Sequence, residues 1–497
     1  MLGALAGYVV LNGPSFSAAA YRASAQCPRA IDNAIIRSGI PIRVAELCDI
    51  PAALGQALVG QLYPAPSLSG QSSSPITYPL KVSANGRYLV DQMDTPFLMI
   101  GDAPQGMIGD LTSDDAELYV ANRERYGINT LWINLLCTDS VGCHDSNGTT
   151  LDGISPFTTA GDVSTPNERY FARVDSFLSL AAKHRINVLL DPIETSSWLP
   201  VLRTNGQDRD YNYGRYLGTR YKSFPNIIWM SGNDFQSWRD PQDDLVVLAV
   251  AQGIRDADPA ALQTIELDYY VSGSLDDPNW APLIQLDAAY TYRPTYAEVL
   301  KEFNRPNSMP VFMVEAIYEF EHDFTGPQTL RRQEYWSLLS GAAGHIYGSK
   351  FTWPFPPGWK DHLDTIGIAQ LAYATNLFVS REWYALVPDQ NHSAIIGGYG
   401  TFSDSSTVND SDYVTAASTP DGSLVLAYIP TQRTISVDMT TLAGPVRVRW
   451  YDPASGTYTS IAGSPLANAG TYDFATPGKN HDGDPDWVLV LEANQAP

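Results

Sequence analysis

From residue 97 onward the chain repeats one unit: a short apolar run, a loop, then a stretch in which apolar residues recur every three or four positions. Eight such runs can be marked, at 97–101, 130–135, 187–190, 227–230, 264–267, 284–288, 311–314 and 345–347. The intervening stretches, 114–126 and 167–184 among them, carry the 3.6-residue period of an amphipathic helix. Short strands alternating with helices specify a parallel sheet, because parallel strands need long crossovers. Eight units over about 300 residues fit a closed (β/α)₈ TIM barrel better than an open sheet.

The pattern changes at both ends of this region. Upstream, PLKVSANGRYLV at 79–90 alternates apolar and polar residues about Asn85-Gly86, a pair suited to the positive φ values of a tight hairpin turn. Before it lies YPAPSLSGQSSSPITYP at 63–79, a Pro- and Ser-rich strap. Beyond Ser380 the helical period stops, and β-rich runs at 393–397, 424–429, 446–451 and 487–491 are separated by Pro, Gly and Asp turns, the texture of an all-β sandwich. The expected organisation is therefore an extension over 1–78, a catalytic barrel with its hairpin over 79–385, and a C-terminal β-sandwich over 386–497.

Charge narrows the partners. Fifty-four acidic against 31 basic residues leave −23, which repels phosphate backbones and anionic lipid and argues against nucleic acid and membrane surfaces. No run of about 18 apolar residues is present to span a bilayer. The four cysteines fall as Cys27 with Cys48 and Cys137 with Cys143, without C-x-x-C spacing, and read either as local disulfides or as buried thiol pairs. Low charge, 28 tyrosines and 35 prolines, with an apolar stretch at 2–10 ahead of Ala23-Ser24-Ala25, point to a secreted or periplasmic protein. H-E-x-x-H, G-x-S-x-G and phosphate-cradling glycine loops are absent and the seven histidines are scattered, so no metal and no cofactor is expected. The string His481-Asp482-Gly483-Asp484-Pro485-Asp486 lacks EF-hand spacing and reads as a solvated turn or a calcium loop.

In a barrel of this kind the active site is built where the strands end. Those positions are Asp102, Asn134, Asp191, Asn233 with Asp234, Asp268, Tyr290 with Tyr292, Glu315, and the segment from Tyr347 to Trp353. Carboxylates mixed with aromatic rings suit a carbohydrate, whose C–H faces stack on rings and whose hydroxyls bond Asn and Asp. Asp234 and Glu315, 81 residues apart, end the fourth and seventh runs, which face each other across a barrel mouth. Acetal hydrolysis needs one acid to protonate the departing oxygen and one carboxylate at the anomeric carbon, here Asp234 and Glu315 respectively. Trp229 and Trp238 are candidates to desolvate Asp234. The alternatives are an inverting pair, set wider apart, or a barrel that binds carbohydrate without cutting it.

Other positions are open to two readings. Asp102 and Asp191 either hold a sugar hydroxyl or tie a loop. His345 and Tyr347 alternate on one face of the eighth strand and orient Glu315 if that face is the barrel interior, or belong to the core if it is not. Trp198, Trp353, Phe355 and Trp359 form stacking walls or pack loops.

Three phrases carry a family resemblance. NGRYLVDQMDTPFLMIGDAP at 85–104 and GAAGHIYGSKFTW at 341–353 resemble the opening hairpin with first strand and the eighth strand of the apiosidase-like glycoside hydrolases. YVTAASTPDGSLVLAYIPTQRTISVDM at 413–439, followed by RWYDPASG and DWVLVLEA, is similar to the C-terminal β-domain catalogued as collagen-binding. An Asn-acid pair at the fourth strand with Glu at the seventh is also the arrangement of the large retaining glycosidase clan built on this barrel. The resemblance implies hydrolysis of a glycosidic bond in a plant or microbial polysaccharide, with Asp234 as acid/base and Glu315 as nucleophile.

Overall fold

The computed structural model describes residues 76–493 apart from 140, 141, 144, 238 and 269. The expectations for the extension up to residue 75, for Cys27 with Cys48 and for Trp238 lie outside the described residues.

Eight parallel strands form the barrel: β1 Met99–Asp102, β2 Thr130–Asn134, β3 Asn187–Asp191, β4 Ile227–Phe235, β5 Gln263–Leu267, β6 Asp287–Thr291, β7 Val311–Glu315 and β8 Gly344–Tyr347. Their order is β5-β4-β3-β2-β1-β8-β7-β6, with the short strand Val271–Ser272 antiparallel on β6. The seam between β5 and β6 is bridged by Gln285 N–H to the Gln263 carbonyl (2.9 Å) and by Ser274, whose hydroxyl donates to the Ile265 carbonyl and accepts the Ala288 N–H (2.8 Å). The result is a nearly closed (β/α)₈ barrel. Period-two alternation sorts the side chains. Met99, Trp132, Leu189, Ile228, Met230, Phe312, Val314 and Ile346 fill the lumen, and Ile100, Leu131, Ile133, Val188, Leu190 and Ile265 face the helices.

Eight helices of nine residues or more occur among the described residues: α1 Ser113–Arg125, α2 Glu168–Lys183, α3 Thr195–Asn205, α4 Gln207–Tyr221, α5 Pro241–Ala257, α6 Thr295–Phe303, α7 Pro327–Leu339 and α8 Ile366–Val379. Side chains of Thr112 and Asn167 cap α1 and α2 one residue from where the periodicity places them. The sixth strand lies three residues later than its apolar run, because Leu283 and Ile284 sit in the preceding turn and pack outward. The opening hairpin pairs Lys81 with Val90 and Val82 with Leu89, so its loop runs from 83 to 88, and within Asn85-Gly86 positive φ is found at Gly86 alone. A tight two-residue turn was expected; the strands diverge sooner because Ser83 binds Asn85 through its hydroxyl and Gly86 through its carbonyl.

The C-terminal part packs a six-stranded antiparallel sheet, in which Leu424–Ile429, Trp487–Ala493 and Val446–Asp452 are neighbours, against a three-stranded one of Ile395–Gly397, Thr434–Asp438 and Thr471–Ala475. Ile435, Val437, Val448, Trp450, Leu489 and Leu491 form its core. It joins the barrel through α7. Arg331, fully buried, donates to Asp486 (2.8 Å) and Asp484 (2.8 Å), and Arg332 donates to carbonyls at Val408, Ser411 and Pro430. Tyr335 stacks on Tyr428 at 5.0 Å. The acidic string at 481–486 is therefore neither a solvated turn nor a cation loop: Asp484 and Asp486 neutralise a buried arginine.

Candidate active site

The fourth strand leaves its ladder just where chemistry needs a side chain in the mouth. Its pairing with β5 jumps from Ser231↔Ile265 to Phe235↔Leu267, so Gly232, Asn233 and Asp234 stand opposite Glu266 alone. Asn233 (φ 67) and Asp234 (φ 58) both adopt left-handed backbone, which short polar side chains tolerate best. Gly232 must be glycine, since a Cβ there would lie 2.1 Å from the Glu266 carbonyl oxygen. The bulge is held on one side by Thr195, whose hydroxyl bonds the Gly232 carbonyl (2.6 Å) and the Asn233 carbonyl (3.2 Å). On the other side Asp234 N–H donates to Glu266 Oε2 (3.2 Å).

Glu315 ends β7 with its side chain 8% exposed. Tyr290 and Tyr292 donate to its Oε1 at 2.7 and 2.9 Å, and Tyr318 donates to Oε2 at 2.6 Å. The Tyr290 hydroxyl also stands near enough to the Asp234 carboxyl to pull it downward. Glu315 also feels the Asp234 charge, and Glu266 feels both. The ends of the fourth and seventh strands thus converge on one pocket.

Burial raises Asp234 above the usual carboxylate range, and Asp268 and Glu321 add repulsion. Burial and the Asp234 charge raise Glu315, against which Tyr318 and Tyr290 pull downward. Three hydroxyl donors favour the anion at Glu315 and so oppose the effect of its burial. Trp229, a candidate to desolvate Asp234, packs outward in the helical layer. The desolvation comes from the mouth itself.

Further polar groups line the same space on neighbouring strands. Asn134 donates to Asn233 Oδ1 (3.2 Å), and Asp191 Oδ1 accepts the Ile193 N–H (3.0 Å). Asn134 Oδ1, Asp191 Oδ2, Glu266 Oε1 and Trp132 Nε1 are buried without a hydrogen-bond partner. Unsatisfied buried acceptors and a donor in one place are what a polyhydroxylated ligand would satisfy. Tyr318, Glu266, Trp132 and Glu321 are site residues that strand-end counting does not reach. Glu266 and Trp132 sit inside apolar runs, and only their lumen-facing parity reveals them.

Several expected residues are placed elsewhere. Gly101 faces the lumen, where a Cβ would meet Ile346 Cδ1 at 2.2 Å, so its neighbour Asp102 points outward. There its oxygens are taken by the Ala103 N–H (2.8 Å), Tyr119 hydroxyl (2.5 Å) and Arg123 Nε (2.5 Å), making it a tie to α1 and not a sugar ligand. Tyr347 likewise faces the helical layer and donates to Glu319. His345 shares that outward parity, is lowered to about 3 by burial, and does not orient Glu315. Trp198 is buried edge-on to Phe157 at 5.9 Å, and Phe355 and Trp359 pack on Tyr119, so none forms a stacking wall. Trp353 does lie at the mouth, between the lumen cluster and the disulfide that joins Cys137 to Cys143. Among the described residues one acidic trio, Asp276, Glu298 and Glu302, is close enough to hold a metal ion, but Lys301 and Arg305 already neutralise it.

Residues 83–385 match the family described as "Apiosidase-like, catalytic domain". The chain belongs to the apiosidase-like family. This apiosidase-like chain is accordingly a glycoside hydrolase. Residues 401–492 match a second family, "Putative collagen-binding domain of a collagenase". A solved structure titled "Glycoside hydrolase" shares its fold with a TM-score of 0.73 at 24% identity, over 85% of this chain and 98% of the other. A glycoside hydrolase family 5 protein from Bacteroides vulgatus ATCC 8482 gives 0.71 at 23% identity, over 83% and 93% of the two chains. No curated protein matches the chain.

Proposed function

We propose that this apiosidase-like hydrolase cleaves a glycosidic bond in a plant or microbial poly- or oligosaccharide with retention of configuration, Asp234 acting as acid/base and Glu315 as nucleophile. The observation that carries the reading is Tyr290, whose hydroxyl donates to Glu315 and also acts on the Asp234 carboxyl. Retention requires the two carboxyls about 5–5.5 Å apart, against the roughly 6.5–9.5 Å that an inverting pair needs to admit water.

The chemistry follows from the charge states. Glu315, anionic under its three hydroxyl donors, attacks the anomeric carbon while protonated Asp234 gives its proton to the departing oxygen. The glycosyl ester to Glu315 forms as the glycosidic C–O bond breaks. Asp234, now ionised, removes a proton from water, which attacks the same carbon and releases Glu315. Positive charge developing on the ring is stabilised by a mouth lined with carboxyls. Asn134, Asp191, Asn233, Tyr292 and Trp353 are the groups of this space that would hold the sugar. The bond between Cys137 and Cys143 supports export to an oxidising compartment.

A panel of aryl glycosides, furanosides included, with branched plant and bacterial polysaccharides tests the proposal. Asp234→Asn and Glu315→Gln should each lower turnover by at least about 100-fold with thermal unfolding unchanged. Activity within tenfold of wild type in either variant would defeat the assignment, and a wild-type protein that binds glycans without releasing sugar would favour a non-catalytic barrel.

A further inference from the structure

A third carboxyl sits between the two proposed catalytic ones. Glu266 is fully buried in β5, with one oxygen on the Asp234 N–H and the other without a partner. The groups that face it are Asp191, Asp234, Glu315, Tyr290 and Tyr318, and none is a cation. An apolar side chain of the same volume would avoid the desolvation that such a position imposes, so stability gives no reason for an acid here.

The backbone supplies a reason. Gly232, Asn233 and Asp234 all have positive φ, a conformation that persists only where the surroundings over-determine it. Thr195 grips the first two through their carbonyls. The ladder resumes only at Phe235, whose carbonyl accepts the Asp268 N–H (3.0 Å). Between these two anchors, the Asp234 N–H is held by Glu266 Oε2. The contact crosses from β5 to β4 at the residue that must present its carboxyl to a leaving group.

We propose that Glu266 is the positioning residue that fixes the Asp234 backbone, and thereby aims the acid at the glycosidic oxygen. This rests on Asp234 being the acid/base. Glu266 does not transfer the proton; it determines where the residue that does so is found.

The test uses Glu266→Met, which keeps the volume and removes the acceptor, and Glu266→Gln, which keeps a carbonyl acceptor for the Asp234 N–H. Crystal structures of both and kinetics on two substrates of one sugar are compared: an alkyl glycoside, which needs its leaving group protonated, and a dinitrophenyl glycoside, which does not. In Glu266→Met the Asp234 carboxyl should move by about 1 Å or more from Tyr290, and alkyl glycoside turnover should fall about 100-fold. The kcat/KM for the dinitrophenyl glycoside, which reports ester formation alone, should fall less than about fivefold, against about 100-fold for the alkyl glycoside, and Glu266→Gln should restore most of the loss. An unmoved Asp234 in the Met variant, or equal losses on the two substrates, would overturn the proposal. Should the wild type cleave neither glycoside, the acid/base reading fails, while the Asp234 position in the Met structure still decides whether Glu266 holds it. If the Met variant does not fold, Glu266→Ala takes its place with the same expected displacement and the same overturning result.

Discussion

The Tyr290 hydroxyl donates to Glu315 Oε1 at 2.7 Å and also pulls the Asp234 carboxyl downward. One residue of β6 therefore acts on both acids. It lowers the free energy of the ionised glutamate and fixes its orientation.

Tyr290→Phe removes that link while keeping the ring in the lumen cluster. The expected result is a loss of about 10- to 100-fold in kcat/KM, about 1.4–2.7 kcal/mol of transition-state stabilisation, with a melting temperature close to wild type. Steady-state kinetics beside a thermal melt checks this; activity within twofold of wild type would show the hydroxyl to be idle.

Activity should follow a bell-shaped pH profile displaced upward from an ordinary carboxylate pair. Burial raises both acids, so the singly protonated state exists only above the usual value of about 4. On the acid side turnover falls because Glu315 gains a proton and loses its nucleophilic pair; on the alkaline side it falls because Asp234 loses the proton it must donate. Both limbs belong to the coupled pair. Initial rates from pH 3 to 9 test this, and a profile already flat at about pH 4 would contradict the desolvation argued for the mouth.

The joint between barrel and β-sandwich makes a prediction about stability. Arg331→Met leaves the Asp486 carboxylate fully buried with the neutral groups of Tyr428, Asn480 and Gln328 as its remaining donors. Breaking a buried pair in this one-sided way costs about 3–5 kcal/mol, whereas neutralising both partners costs far less. Urea unfolding of Arg331→Met and of Arg331→Met with Asp486→Asn should show the double variant recovering a substantial part of the loss. Additive losses would mean that the two charges do not compensate each other.

Much of this was legible in the sequence, and the exceptions have a common cause. The eight runs locate the barrel because parallel strands buried on both faces must be apolar, and the strand ends then lead to Asp234 and Glu315. What a strand end does not reveal is which face its last residue presents. Asp102, His345 and Tyr347 were expected near the sugar and face the helices instead, because Gly101 and Ile346 occupy the lumen positions between them. Glu266 was hidden for the converse reason: it lies within QTIEL, where an acid inside an apolar run reads as interruption. The local break in β4 was not readable either, since Gly-Asn-Asp signals a turn and nothing in its spacing says that the strand continues to Phe235.

The most direct measurement of the two-carboxylate account is azide rescue with the anomeric configuration of the product read by NMR. With an activated aryl glycoside that the wild type cleaves, Glu315→Ala should yield a glycosyl azide of inverted configuration, because azide takes the place of the missing nucleophile. Asp234→Ala should yield one of retained configuration, because azide then intercepts the ester on Glu315 without needing a base. Failure of azide to restore turnover or to appear in the product of either variant would contradict the assignment of Asp234 and Glu315.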